Sequence, residues 1–277
     1  MDLSIIIVTY NSEKYILDCL NSVERATLDI QHEIFLIDNQ SVDQTRTVIK
    51  KFRNSIVLLE NPKNVGFAKA VNMGLRKASG KFILLLNPDV IIQSDSLSPM
   101  INFMKNHSKI GICGCKLLHQ DHSLQYSKGS FPSLFSILLF RLVLPRRMRK
   151  YHLWGYEKIG KCDWVTGAFM LMRNRLIEEV GFFDENYFVY YEDMDYCLQV
   201  KKKGWEVYYY SEIMAYHLNP HAISTRYLQV ENEIRRSRLY FFRKNRSMVS
   251  YLILLFLARM IEGRIPSPQF SNDGLNR

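Results

Sequence analysis

The chain has few residues that could form disulfide bonds or a zinc site. Among its 277 residues are five cysteines, an odd number, with no Cys-x-x-Cys pair and no signal-peptide pattern at the amino end. Cys113-Gly-Cys115 has no matching second pair, which argues against structural zinc. This cysteine usage is typical of reduced proteins, so we expect a cytoplasmic protein.

The chain also lacks a long apolar run near its carboxyl end. The longest uncharged run there, Ser247 to Ala258, has 12 residues, whereas a helix that spans a bilayer needs about 20. We therefore predict that residues 226–262 form a basic and apolar helical extension that docks on a surface. Residues 263–277, with two prolines, are predicted to form a flexible tail.

Negative charge is in deficit. The chain has 37 Lys and Arg against 27 Asp and Glu, a formal charge of +10, which predicts an anionic partner. Basic residues cluster at 146–150 and 235–246, and both clusters border apolar runs, one of them Phe131 to Leu144. This favours peripheral contact with an anionic membrane over nucleic acid, which exposed aromatics among the basic residues would indicate. A buried hairpin and a homodimer interface remain the alternative.

Strand and helix patterns alternate through the first ninety residues. Apolar strands are predicted at 4–9, 33–37, 55–59 and 82–86, with amphipathic helices between them. This order predicts an α/β fold with a mostly parallel sheet flanked by helices. Weaker patterns follow, with helices predicted at 97–106, 174–180 and 194–203 and strands at 110–115, 165–172 and 207–210.

Asn87-Pro88-Asp89 directly follows the fourth strand. That strand has five consecutive apolar residues, as expected for burial on both faces, and Pro88 ends it. Ligands bind at the carboxyl ends of such strands. Because a hard cation that bridges phosphates takes oxygen ligands, Asp89 is a candidate for holding a metal-bound diphosphate.

Polar residues follow two other strands. Thr9-Tyr10-Asn11 ends the first and Asp38 ends the second, so together they predict a nucleoside pocket, although an ordinary helix-capping turn would use the same residue types. Asn64 and Gly66 precede the third helix, where Gly66 could equally serve a tight turn. Asn72 interrupts the apolar pattern of that helix and needs a polar partner.

Three carboxylates, Glu192, Asp193 and Asp195, begin a helix that ends in lysines. Favourable interaction with the helix dipole would account for this pattern. Neighbouring aromatics would also desolvate the acids and raise their pKa values, as a general base requires. His217 lies beyond a strand-like segment and is a candidate metal or phosphate ligand.

Together these residues resemble the family 2 glycosyltransferases, especially the rhamnosyltransferase-like members of bacterial surface polysaccharide synthesis. The resemblance covers Ser4 to about Asn245 and rests on an ordered set of motifs: Ile7-Val-Thr-Tyr-Asn11, Asp38-Asn39, Asn64-x-Gly66-Phe67-Ala68, Asn87-Pro-Asp89, Trp164-Val-Thr-Gly167-Ala168, Gly181-Phe-Phe-Asp184, Glu192-Asp193-x-Asp195 and Arg236-Ser-Arg238.

The resemblance implies a GT-A fold over residues 1–225, with a nucleotide-binding half at about 1–115 and an acceptor half at about 116–225. It implies an inverting transfer of sugar from a nucleotide diphosphate to a hydroxyl of a lipid-linked or oligosaccharide acceptor. Mg²⁺ or Mn²⁺ would be held by Asp89 and His217, and Asp193 would be the general base. The donor would bind at Thr9, Tyr10, Asn11, Asp38, Asn64, Gly66, Phe67, Asn72, Asn87 and Asp89. The acceptor would lie beside Trp164, Thr166, Gly167 and Glu192.

Asn87 departs from the family pattern, because many relatives have an aspartate there. A neutral amide ligand predicts weaker metal binding, and Asn-Pro-Asp resembles the rhamnosyl-transferring subgroup, so the implied donor is dTDP-rhamnose. A UDP-sugar used for hexosyl or galactofuranosyl transfer is the alternative. A catalytically idle nucleotide- or glycan-binding scaffold is a second one, disfavoured because binding alone has no need for Asp193. The implied location is the inner face of the bacterial cytoplasmic membrane.

Overall fold

The computed structural model describes residues 1–52, 54–138, 155–218 and 227–262. Its elements, in chain order, are β1 (Leu3–Thr9), α1 (Ile16–Ala26), β2 (His32–Asp38), α2 (Thr45–Ile49), β3 (Val57–Glu60), α3 (Phe67–Leu75), β4 (Phe82–Leu86), β5 (Val90–Ile92), α4 (Leu97–Asn106), β6 (Ile110–Leu118), β7 (Lys128–Gly129), α5 (Leu134–Leu138), β8 (Gly160–Lys161), β9 (Trp164–Val165), β10 (Phe169–Arg173), α6 (Arg175–Glu179), α7 (Glu192–Lys202), β11 (Glu206–His217), α8 (Tyr227–Asn245) and α9 (Met248–Glu262).

The amino-terminal half forms the predicted parallel sheet. The strands lie in the order β3-β2-β1-β4, and each neighbouring pair is parallel. Thr9 at the end of β1 is in register with Asp38 at the end of β2. The polar residues that follow these strands therefore share one edge of the sheet, as the sequence predicted.

Beyond β4 the sheet becomes mixed, and most of its neighbouring pairs are antiparallel. It continues in the order β10-β6-β11-β5, in which β10 and β5 run antiparallel to their neighbours and β11 runs parallel to β6. The predicted strand 165–172 is two strands, β9 and β10, with residues 166–168 between them. The predicted strand 207–210 extends to His217, because a register shift between Tyr210 and Met214 lets pairing resume.

Side chains that alternate along β1 enter two hydrophobic clusters. Ile5 and Ile7 pack with the apolar stripe of α1, whereas Ile6 and Val8 pack with α3 and α7 on the opposite face of the sheet. Helices thus cover both faces, which confirms the predicted architecture.

The predicted carboxyl-terminal helix is two helices, α8 and α9, separated by Arg246 and Ser247. Leu239, Phe241 and Phe242 of α8 form a third cluster with Leu254 of α9 and Tyr187. The sequence suggested that the basic cluster at 235–246 faces an anionic surface throughout. The structure shows that part of it is buried, because Arg235 is only 8% exposed. Residues 139–154, which include most of the other apolar and basic segment, and 263–277 lie outside the described residues.

Lys244 joins α8 to the body of the domain. Its Nζ lies 2.7 Å from Asp184 Oδ2 and 2.7 Å from Asp195 Oδ2. Burial lowers the pKa of Lys244, but the hydrogen bonds to both aspartates outweigh it and the pKa is raised. For Asp184, burial raises the pKa and the hydrogen bond from Lys244 more than offsets it, so the pKa is below 3.8.

We expect Lys244→Met to lower the free energy of unfolding at neutral pH by about 2 kcal/mol, as measured by chemical denaturation. The variant leaves Asp195 buried without its cation, but Lys244 is itself about one-third exposed, which reduces the cost. Because the pKa of Asp184 is depressed, its stabilisation is present above pH 3.8 and is lost as the pH falls further. The difference between variant and wild type should therefore shrink in acid. Lys203→Met, an exposed change at the carboxyl end of α7, is the matched control. Equal stabilities for the two variants at pH 7 would refute the role of Lys244.

Candidate active site

Asp38 is the polar centre of the edge formed by β1 and β2. Its side chain is fully buried, and Oδ1 accepts a hydrogen bond of 3.2 Å from Thr9 Oγ1. Oδ2 accepts bonds from the Ser41 backbone N–H at 3.1 Å and from Arg46 Nε at 2.7 Å. The hydrogen bond with Asp38 raises the pKa of Arg46. Arg46, which no sequence pattern singles out, thus balances the charge of a carboxylate that shapes this edge.

Asn11 joins the turns that follow β1 and β2. It has a left-handed φ of 50°, and its Oδ1 accepts a hydrogen bond from the Val42 N–H at 2.9 Å. Its own N–H donates to Ser41 Oγ at 3.0 Å. Tyr10 lies beside it and is half-buried. The two turns therefore form one polar rim around Asp38.

The loop before α3 contacts the segment that leads to the predicted base. Asn64 Oδ1 accepts a hydrogen bond from the Gly66 N–H, and the Phe67 N–H donates to Phe188 O at 2.6 Å. Gly66 has φ of 87°, and a Cβ there would lie 2.6 Å from the same Phe188 oxygen. Only glycine fits this close approach, so the tight-turn role is present at Gly66.

Asn72 is placed differently from the other predicted donor residues. It is fully buried, its Nδ2 donates to Phe183 O at 2.9 Å, and its Oδ1 accepts from the Phe183 N–H at 3.0 Å. Nδ2 also contacts Glu185. Because both polar atoms are used by the loop before α7, Asn72 positions that loop instead of facing a ligand.

Asp89, Asn87 and His217 converge where β4 and β11 end. His217 Nε2 lies 3.2 Å from Asp89 Oδ1 and 3.4 Å from Asn87 Nδ2. His217 Nδ1 lies 3.0 Å from Oε1 of Gln125, and both side chains are buried. Since that amide oxygen can only accept, Nδ1 donates the hydrogen bond to Gln125, and this bond fixes the ring with Nε2 facing Asp89.

This arrangement fits a divalent cation that binds together with a diphosphate. One carboxylate and one imidazole, with an amide beside them, are too few for a closed protein site. Throughout the described residues there is no cluster of three or more His, Cys, Asp or Glu that could hold a metal ion. A diphosphate would have to supply the remaining oxygens. Gln125 lies in a stretch without periodicity, which is why the sequence did not single it out.

The segment between β9 and β10 links this edge to Asp193. The Asn87 N–H donates to Ala168 O at 2.9 Å, and the Gly167 N–H donates to Asp193 Oδ2 at 2.9 Å. The adjacent residues Gly167 and Ala168 thus bond to Asp193, the predicted base, and to Asn87 at the predicted diphosphate site. The sequence separates Asp89 from Asp193 by about a hundred positions, and this segment links the end of β4 to the start of α7.

Asp193 lies at the start of α7, after two strained residues. Tyr190 and Tyr191 have left-handed φ values of 69° and 68°, a backbone conformation that residues other than glycine rarely adopt. Asp193 Oδ1 accepts a hydrogen bond from the Met194 N–H at 2.7 Å. Burial raises the pKa of Asp193, and hydrogen bonds from Gly167 and Met194 oppose that rise.

Glu192 is the more strongly perturbed carboxyl of the pair. It is 5% exposed, and its Oε2 has no hydrogen-bond partner. Burial raises its pKa well above 4.5, and the negative charges of Asp193 and Glu233 raise it further. Because Asp193 has backbone donors and Glu192 Oε2 has none, the pair holds its proton on Glu192 and its charge on Asp193.

Asp195 does not belong to this pair, although it is close in sequence. It is 2% exposed, and Lys244 Nζ and Asn245 Nδ2 donate to its two oxygens at 2.7 and 2.6 Å. Its role is therefore to anchor α8.

Aromatic residues lie beside Asp193 on the predicted acceptor side. Trp164 is buried, and its Nε1 donates to Ser130 O at 3.1 Å. Its ring meets Tyr126 edge-on at 5.3 Å, and Tyr126 is 44% exposed. Thr166 is half-buried and Gly167 is buried. Tyr126, which sequence patterns missed, is thus the residue of this pair that offers an aromatic surface to solvent.

A sheet edge that gathers polar loops beside a buried carboxylate is the arrangement in which α/β enzymes bind their ligands. The Glycosyl transferase family 2 profile matches residues 4–181, more than half of the chain. The chain belongs to this glycosyltransferase family.

Two curated relatives are named rhamnosyltransferases. Rhamnosyltransferase WbbL of Escherichia coli K12 is 27% identical over 226 residues, which cover 78% of this chain and 83% of that protein. N-acetylglucosaminyl-diphospho-decaprenol L-rhamnosyltransferase of Mycobacterium tuberculosis is 25% identical over 238 residues, covering 79% and 77%.

A solved structure confirms the predicted GT-A fold. The mannosyltransferase PcManGT of Pyrobaculum calidifontis, determined with GDP-Man and Mn²⁺, superposes with a TM-score of 0.61 at 17% identity, covering 93% of this chain and 69% of that one. At this identity the likeness concerns the fold alone.

We expect Asp89→Ala to weaken Mn²⁺ binding in the presence of a nucleoside diphosphate about tenfold or more, because it removes the charged oxygen of a two-ligand site. Titration followed by the Mn²⁺ electron paramagnetic resonance signal would measure this. Asp29→Ala, an exposed change in the turn after α1, is the control. Unchanged Mn²⁺ affinity in Asp89→Ala would exclude this residue as a ligand.

Proposed function

We propose that the protein is an inverting glycosyltransferase that moves a sugar from a nucleotide diphosphate to an acceptor hydroxyl. The observation that supports this most is the bridge from Asn87 through Ala168 and Gly167 to Asp193. A diphosphate-binding edge and a carboxylate of raised pKa then face one cleft, which is what a one-step displacement needs.

In the proposed reaction, the acceptor oxygen attacks the anomeric carbon while Asp193 accepts the hydroxyl proton. The bond from that carbon to the diphosphate oxygen breaks on the opposite face, so the configuration inverts. Burial raises the proton affinity of Asp193, and its backbone hydrogen bonds fix the orientation of the carboxylate. A positioned base of this kind contributes about 10²–10⁴-fold.

The donor end of the proposed site uses Asp89 and His217 as ligands to Mg²⁺ or Mn²⁺, with Asn87 as a neutral neighbour. When bound, the cation would supply charge neutralisation for the departing diphosphate. The nucleobase and ribose of the donor would lie beside Thr9, Asn11 and Asp38. The pocket would be completed by Tyr10, Asn64, Gly66 and Phe67.

For the donor sugar we propose L-rhamnose from dTDP-rhamnose. Asn87 in the Asn-Pro-Asp motif and the names of the two curated relatives support it. A UDP-sugar is the alternative donor, and a panel of nucleotide sugars assayed for slow hydrolysis would decide between them.

For the acceptor we propose a lipid-linked glycan at the inner face of the cytoplasmic membrane. The name of the mycobacterial relative specifies an acceptor on a decaprenol diphosphate. In the part of the chain that the structure describes, no helix is long and apolar enough to cross a membrane. Contact with the membrane would therefore be peripheral.

We expect Asp193→Asn to abolish sugar transfer, with kcat at least about 10²-fold lower, while nucleotide affinity stays within about twofold. The amide keeps the size of the side chain but cannot accept the proton. Product formation and calorimetric titration with the nucleotide measure the two quantities.

Asp29→Asn, the same chemical change at an exposed position, should behave as wild type. Wild-type turnover in Asp193→Asn would exclude Asp193 as the base. Loss of nucleotide binding together with transfer would instead indicate that the change disrupts the fold.

The pH profile of kcat/KM should reflect the Glu192 and Asp193 pair. Because the pKa of Asp193 is raised above 3.8, the ionised base is lost as the pH falls through that raised value, and the acid limb should lie at higher pH than an ordinary aspartate would give. A second, higher ionisation should come from Glu192. Glu192→Gln should remove the second step and leave one acid limb. A profile that is identical in wild type and Glu192→Gln would contradict the shared proton.

A further inference from the structure

We propose that an exposed apolar row on α9 is the surface by which this protein docks on an anionic lipid bilayer. The row, called here the α9 stripe, consists of Met248, Val249, Leu252, Ile253, Phe256 and Met260. The proposal rests on the proposed lipid-linked acceptor, because it identifies where the enzyme would meet the membrane that carries it.

The α9 stripe lies along one face of the helix. Met248, Leu252, Phe256 and Met260 are spaced four residues apart, and Val249 and Ile253 form a second row beside them. All six side chains are between 40% and 70% exposed. Six large apolar side chains in one contiguous row are unusual on the surface of a soluble protein and mark an interaction site.

The opposite face of α9 holds the helix against the domain. Leu254 and Ala258 are each 2% exposed, and Leu254 packs with Leu239, Phe241 and Phe242 of α8. Rotation that buried the stripe would expose this packed face. The stripe is therefore held facing outward.

The charges that flank the stripe favour anionic lipid. Arg243 precedes it and Arg259 lies at its far end, and both are exposed. From Arg243 to the end of α9 the only acid is Glu262. Arginines at the edge of an apolar helix face bind anionic headgroups while the apolar side chains enter the acyl boundary.

The same charges disfavour a second copy of this chain as the occupant. Pairing two stripes would bring together Arg243, Arg246 and Arg259 of each copy, with only Glu262 to offset them. A bilayer that contains anionic lipid accepts this excess positive charge without such repulsion.

The length of α9 suits a helix that lies in the plane of the membrane. Its 15 residues extend about 22 Å at 1.5 Å per residue, which is too short to span the hydrocarbon core. The helix would bury its stripe at the interface and leave α8 in water.

The stripe also lies on the side of the molecule that carries the proposed base. The cluster that anchors α9 includes Tyr191 and Met194, which flank Asp193 in the chain. It also includes Leu134 and Ile137 of α5, where Phe135 is 74% exposed. Docking through α9 would therefore place the start of α7 near the membrane surface, where a lipid-linked hydroxyl is available.

Co-sedimentation of the full chain with vesicles tests this surface. The probes are phosphatidylcholine vesicles with and without one-quarter phosphatidylglycerol. We expect wild type to prefer the anionic vesicles, and Leu252→Gln/Phe256→Gln to bind them about tenfold or more weakly, because two inserting side chains are lost. Leu28→Gln, at a position that is 81% exposed in the loop after α1, is the matched control and should bind as wild type. Arg259→Gln should bind less tightly and with less dependence on salt.

Equal vesicle binding by the double variant and wild type, with both folded by circular dichroism, would overturn the proposal. The proposal would also be overturned if wild type were a dimer that bound no vesicles and the double variant were a monomer, because a second copy would then cover the stripe.

Transfer to a water-soluble acceptor separates the docking proposal from the proposed function. If transfer occurs but the stripe variant binds vesicles normally, only the docking proposal fails. If no nucleotide sugar is used but the variant loses vesicle binding, the docking surface stands and the proposed function fails.

Discussion

The structure of the site depends on two backbone hydrogen bonds from neighbouring residues. Ala168 accepts from the Asn87 N–H, and Gly167 donates to the Asp193 carboxylate. The first bond belongs to the sheet edge and the second to α7. Since these residues are adjacent, the distance between the proposed donor edge and the proposed base is set by the rigid geometry of a peptide unit and not by flexible side chains. A Cβ at Gly167 would lie in ordinary van der Waals contact with Phe67 and Asp193, so these neighbours close the space around the bond without requiring glycine.

Buried carboxylates around this bridge are stabilised either by a cation or by backbone donors. Asp38 is paired with Arg46, Asp195 with Lys244, and Asp193 accepts backbone hydrogen bonds. Glu192 has a buried oxygen without a partner and avoids the cost of an isolated buried charge by holding a proton. Glu192, the carboxyl with the fewest stabilising contacts, is thus adjacent to the proposed base. A carboxyl that holds a proton at this place suits proton transfer.

The sequence predicted most of the parallel half of the fold, because strands buried on both faces have a clear apolar pattern. It also placed the polar residues of β1, β2 and β4 at one edge, since strand ends coincide in a parallel sheet. It could not predict β5, which is three residues long, or the continuation of β11 past an irregular register. Gln125, Tyr126 and Arg46 were missed because their roles arise from contacts across the fold and leave no periodic signal. Asn72 was correctly expected to need a partner, yet only the structure shows that its partner is a loop backbone.

The basic residues near the carboxyl end looked like one membrane-binding patch in the sequence, but the fold divides them. Lys244 points inward to Asp184 and Asp195, and Arg235 is buried in α8. Arg243 and Arg259 remain outside, at either end of the apolar row on α9. A charge that neutralises buried carboxylates cannot also attract lipid headgroups, so the net charge of +10 overstates what is available to a membrane. Lys244, which bonds to Asp195 of α7, is adjacent to Arg243, which lies before the α9 stripe. The bond from Lys244 therefore holds α7, with the proposed base, at a fixed position relative to that surface.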